Sequence, residues 1–166
     1  FQLTVQKNRP RMERAASTIA DQLKKIGLTV DVVTLDGLSV YKNWQSGKYE
    51  SLYFAPGQSD DDPAISPDFW FSSGVNHFWN PGQKQPATDW EKQIDDLMAR
   101  QSATFDEAER KRLFDAAQKI FAEHLPVVYF AAPRIYIATS TRVTHVTPAL
   151  HWIPILWAAD EVAVKP

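Results

Sequence analysis

Three consecutive carboxylates, Asp60-Asp61-Asp62, followed at once by Pro63, are the residues best placed to do chemistry. On a turn they could hold a hard cation or meet the ammonium group of a ligand. They could equally form a solvated loop in which Asp62-Pro63 opens a turn. Cation loops of the EF-hand type place acids at alternate positions with Gly at six and Glu at twelve, and this run lacks that spacing. No metal site is therefore expected. A second polar cluster lies in Val75-Asn76-His77-Phe78-Trp79-Asn80-Pro81. There a histidine, two amides and two aromatics could line a pocket, or could cap one another over a half-buried Trp79. Trp70, Phe78 and Trp79 are candidate apolar walls, with His77 between them. His124, His145 and His151 are too dispersed to suggest a site. There is no His-Glu-x-x-His, no Gly-x-Ser-x-Gly and no phosphate-cradling glycine loop. No catalytic residue and no cofactor are expected, and a hydrolase using Asp60, Asp61 and Asp62 trails as an alternative.

These residues need elements to hold them. Leu3 and Val5 alternate like a strand, and Pro10 suits the first turn of a helix. Met12, Ala15, Ala16, Ile19, Ala20, Leu23 and Ile26 recur at three- and four-residue spacing up to Gly27, which predicts a helix over 11–26. Leu28–Leu35, rich in Val and Thr, reads as a second strand, so the opening is a βαβ unit with parallel strands. Val40, Tyr41 and Trp44 give a shorter helix ending near Gly47, and Ser51–Ala55 a third strand. From Pro56 to Ala87 the chain turns to Pro, Gly, Asp and clustered aromatics; a stretch this long is functional or hides short helices. Thr88-Asp89-Trp90-Glu91 has the spacing of a capping box and starts a helix to about Gln101. Asp106 with Glu109 repeats the signal for a helix over 107–124. Pro126 ends it, and Val127–Thr139 reads as one or two strands.

Composition narrows the classes. The 166 residues, 44% hydrophobic and 23% charged with a formal net charge of −2, suit one globular unit. Lys and Arg form no basic stripe, so no nucleic-acid partner is expected. No apolar run approaches the roughly 20 residues that cross a bilayer. There is no cysteine, which removes disulfides and thiolate ligands alike. Phe1-Gln2-Leu3-Thr4-Val5 reads as a strand rather than a leader, so the chain reads as a piece whose start was removed or as an excised part.

The order of the pieces carries a resemblance. Ala20-Asp21-Gln22-Leu23-Lys24-Lys25-Ile26-Gly27-Leu28-Thr29-Val30 is similar to the helix-strand segment of family 5 extracellular solute-binding proteins. Ser46-Gly47-Lys48-Tyr49-Glu50 resembles that family's turn before its third strand, and Asp62-Pro63 its Asp-Pro loop. The run from Arg110 through Ile120 to Leu125-Pro126-Val127-Val128-Tyr129 resembles its late helix. The resemblance corresponds to the C-terminal part of a longer, two-lobed chain. It implies a periplasmic binding protein-like lobe (type II): a three-layer α/β domain with a mixed, largely parallel sheet and helices on both faces. Residues 1–139 would form the lobe and 140–166 a return segment packing on it or leading from it, with the N-terminal lobe absent.

It also implies a periplasmic or extracellular receptor, lipid-anchored in some forms, that captures oligopeptides and passes them to the membrane permease of an ABC importer. Nickel chelates or sugars are the alternative ligands. In peptide-binding members an aspartate a few residues before the Asp-Pro step meets the peptide's amino terminus. By that offset the matching position is Ser59, with Asp60 and Asp61 beside it. The expected ligand set is Ser59, Asp60, Asp61, Asp62, Trp70, His77, Phe78 and Trp79, and in a lone lobe Trp70, Phe78 and Trp79 are expected to form an uncovered apolar patch.

Overall fold

The computed structural model describes residues 1–54, 62–129, 134, 136–149 and 158–165. Strand β1 (Gln2–Gln6) leads into helix α1 (Pro10–Lys24), strand β2 (Asp31–Leu35), helix α2 (Gly37–Gln45) and strand β3 (Ser51–Tyr53). A 3-10 turn at Pro63–Ile65 and the one-turn helix α3 (Pro67–Trp70) follow, then α4 (Asp89–Ala103) and α5 (Glu107–His124). Strands β4 (Val143–Thr144) and β5 (Ala163–Val164) pair antiparallel as a small ribbon.

The sheet has the order β2-β1-β3 with both pairings parallel. Leu3 pairs with Val32 and with Ser51, Val5 with Thr34 and Tyr53, so β1 is the central strand. Leu3, Thr4 and Val5 are buried in succession. Because alternate side chains point to opposite faces, that run means both faces of β1 are covered. Leu3 and Val5 meet Ala16 of α1, with Met12, Ile19, Val30, Val32 and Tyr53 around them, and α2 also lies against β1. Helix α1 stops as the glycine signal predicts. Gly27 adopts φ 85°, its amide bonds to the Lys24 carbonyl, and the Leu28 amide reaches the Leu23 carbonyl, a Schellman closure.

Helices α4 and α5 pack on one another along a second core of Ile94, Met98, Ala117 and Phe121. The capping box is present as read. The Glu91 amide donates to Thr88 Oγ1, and the Glu91 carboxylate accepts from the Thr88 amide. Asp106 caps α5 through the Glu109 amide at 2.7 Å.

One expectation changes among the described residues. Among the described residues of Val127–Thr139 there is no strand. A strand exists by pairing, and here Val128 and Tyr129 stand exposed without a ladder while Pro126 has no amide to give one. At these described positions β-favouring residue types alone did not make a strand. The sheet agrees with the largely parallel one expected: its described pairings are parallel, and the antiparallel pairing is in the separate β4-β5 ribbon. Ala55 of the third strand lies outside the described residues, whereas the stretch before Ala87 does hide two short helical turns.

Candidate functional site

Asp62 is the one member of the aspartate run that the structure describes; Ser59, Asp60 and Asp61 lie outside the described residues. Asp62 is fully engaged. Its Oδ1 accepts from the Ala64 amide at 2.9 Å, capping the 3-10 turn, and from Gln101 Nε2 at 3.2 Å. Its Oδ2 pairs with Arg110 Nη2. The Ala64 amide first, then Arg110, hold this carboxyl below the ordinary aspartate range. Arg110 is the hub: its Nη1 also donates to the carbonyls of Gln101 and Thr104, both at 3.0 Å, at the end of α4. A guanidinium suits this because its planar fork can serve an anion and two helix-end carbonyls at once.

His77 comes to rest in the interior, 1% exposed, with its Nε2 3.1 Å from Glu91 Oε1. A carboxylate oxygen at that distance assigns the imidazole proton to Nε2, and Nδ1 is buried without a partner among the described residues. Glu91, 3% exposed, collects donors on both oxygens. Oε1 also accepts from Trp79 Nε1 at 3.1 Å and Gln83 Nε2 at 3.2 Å. Oε2 accepts from the amides of Ala87 (2.8 Å) and Thr88 (2.9 Å) and from Thr88 Oγ1 (3.1 Å). Burial would raise the carboxyl's pKa; the hydrogen bonds from His77, Trp79, Gln83 and Thr88 together outweigh it and bring it down to about 2. Asn80 donates to Gln83 Oε1 and completes the network. Of the two readings open for this cluster, the described geometry is polar groups capping one another over Trp79.

The aromatics divide along a seam. Trp79 packs on Phe69, Trp90 and Phe121, and Trp70 on Phe114 and Phe121, both within the helical core. Phe78 faces the other way, its ring 5.0 Å from Trp44 and 5.3 Å from Phe54, while Phe69 closes the gap at 5.7 Å. The uncovered patch expected of Trp70, Phe78 and Trp79 is therefore corrected: all three are partly buried because the rings cover one another. The rings left open on the sheet side of the seam are Tyr41 and Phe54, 44% and 43% exposed. An open hollow of about 510 Å³ lies elsewhere, along Gln85, Pro86, Ala87, Thr88, Asp89 and Lys92.

Glu91, Gln101, Arg110, Tyr41 and Phe54 were not singled out as site residues from the sequence. Glu91 carried a signal, the capping box, but only for half its work; its meeting with His77, Trp79 and Gln83 depends on how the loop folds back. Among the described residues no group of three His, Asp or Glu side chains could hold a metal ion, and no helix is long and apolar enough to cross a membrane.

No protein-family model matches the chain. A curated relative, Di/tripeptide-binding protein 4 of Pseudomonas aeruginosa (strain UCBPP-PA14), is 26% identical over 130 residues, which are 76% of this chain and 23% of the relative. The oligopeptide-binding protein AppA from Bacillus subtilis, solved in complex with a nonapeptide, superposes over 100% of this chain and 32% of its own, with a TM-score of 0.71 and 17% identity. NikA from Brucella suis, solved in complex with Fe(III)-EDTA, covers 74% of this chain and 24% of its own, with a TM-score of 0.58 and 17% identity. The chain thus spans about a quarter to a third of the length of these proteins. Its fold is that of a part of family 5 solute-binding proteins, as the resemblance implied.

Proposed function

We propose that this chain is the ligand-facing lobe of a solute-binding protein that captures short peptides outside the cytoplasmic membrane and hands them to the permease of an ABC importer. The observation that carries this is the 130-residue match to a di/tripeptide-binding protein, with the whole-chain superposition on AppA supporting the same architecture. Residues 1–139 would be the lobe and 140–166 its return segment. Ser59, Asp60 and Asp61 would meet the peptide's ammonium end at the carboxyl end of β3, where ligands lie in open α/β sheets. Trp70, His77, Phe78 and Trp79 would shape the wall from behind, since each is packed within the chain. The protein would act by binding and release, without catalysis. The full-length protein should show a calorimetric isotherm with di- or tripeptides, and a panel that answers only to metal chelates would move the assignment. That second reading, a metal-chelate receptor, is favoured by the likeness to NikA in its Fe(III)-EDTA complex.

A two-lobed receptor buries its ligand between lobes. The 166-residue chain alone should therefore bind any such peptide several decades more weakly than the full-length protein, because half the contacts go while the cost of immobilising the ligand stays. Tight binding by the single chain in calorimetry would refute the two-lobe account.

A further inference from the structure

We infer that Asp62 does not meet the ligand but, with Arg110 and Gln101, forms a lock that fixes where the binding segment rejoins the helices, making Arg110 a positioning residue for binding. This rests on the peptide-binding reading above. Three observations carry it. Both oxygens of Asp62 are committed, Oδ1 to the Ala64 amide and Gln101 Nε2, Oδ2 to Arg110. Arg110 is itself held at two carbonyls of the α4 end, so the acid is tied to the rigid α4-α5 pair rather than to a free side chain. Gln101 is 1% exposed in the interior, which leaves its amide no latitude to release the carboxylate.

A ligand ammonium approaching Asp62 would meet a carboxylate already paired with the Arg110 guanidinium and would gain little Coulomb attraction there unless it displaced that pair. The last member of the acid run thus belongs to the scaffold. A lysine could not replace Arg110, since one ammonium cannot serve the carboxylate and both carbonyls in the same plane.

The test uses the full-length protein and two probes, trialanine and N-acetyl-trialanine, which differ in the ammonium group. Calorimetry at 25 °C should show Arg110→Gln and Asp62→Asn each weakening both probes by roughly fivefold, with the double variant no worse than either single one. A loss on Asp62→Asn confined to free trialanine would mean that Asp62 meets the ammonium, and unchanged affinity in Arg110→Gln would mean that the lock does not position the site; either overturns the inference. Exchange of the Ala64 amide, bonded to Asp62, should quicken about tenfold in Arg110→Gln without ligand. If the wild-type protein binds neither tripeptide, the peptide reading falls, and Ala64 exchange unchanged by Arg110→Gln then overturns the lock itself.

Discussion

Residues 1–54 and residues 62–127 solve the same problem in different ways. The first region is regular, and its backbone groups bond to one another in the β2-β1-β3 ladder and in α1 and α2. Its core is small and apolar, Leu3, Val5 and Ala16. In the second region the stretch from 63 to 88 has little repeating structure, so local turn bonds between backbone groups are supplemented by side chains. Asp95 takes the Ser72 amide and hydroxyl at 2.8 and 2.6 Å, Glu91 takes the amides of Ala87 and Thr88, and Asp62 takes that of Ala64. Three carboxylates thus tie together places that the turn bonds of this stretch leave open. Irregular backbone can be held rigidly, but its stability then rests on a few polar groups whose loss leaves several donors stranded.

The sharpest way to expose that difference is Glu91→Ala. It strands the His77, Trp79 and Gln83 donors in the interior and should cost about 4 kcal/mol, more than a truncation in the sheet core such as Val5→Ala. Chemical denaturation of both variants would settle the ranking, and an equal or smaller loss for Glu91→Ala would undo the contrast. Acid probes the same group. Its folded pKa of about 2 lies below the ordinary 4.5, so its contribution is complete above about pH 4.5 and is lost as pH falls through about 2. That share should be about 3 kcal/mol, and Glu91→Gln should remove it from the pH profile of unfolding.

Phe78→Ala acts on the seam between the regions. It should cost about 2 kcal/mol and, if Phe78 couples the two cores, split one calorimetric transition into two. A single sharp transition in that variant would mean that other contacts carry the coupling. Smallest is Thr88→Ala, which removes a cap worth about 1 kcal/mol and should lower the melting temperature by a few degrees. A matching loss from Asp36→Ala, the cap of α2, would show that capping does not distinguish the regions.

Much of the fold was legible because its signals are local. The spacing of Met12, Ala16 and Ile19, the Gly27 stop, the Thr88 to Glu91 box and the Asp106 cap each concern residues within one or two turns of one another. The resemblance to solute-binding proteins was legible for the same reason, as an order of short pieces. The described part of Val127–Thr139 departs from the strand reading because a strand is a relation between distant segments, and no residue type in it reveals whether a partner arrives.

What the sequence alone determined, then, is where the helices begin and end, that β1 and β2 flank a helix in a parallel pair, and that acids and aromatics crowd between Pro56 and Ala87. What only the tertiary structure decided is the use of those acids and rings. Asp62 lies 48 residues from Arg110, and Glu91 lies 14 residues from His77 along a chain that doubles back. Whether a carboxylate faces solvent or becomes a scaffold anchor depends on which donors the fold brings within about 3 Å of it, a distance that residue spacing outside regular elements does not encode.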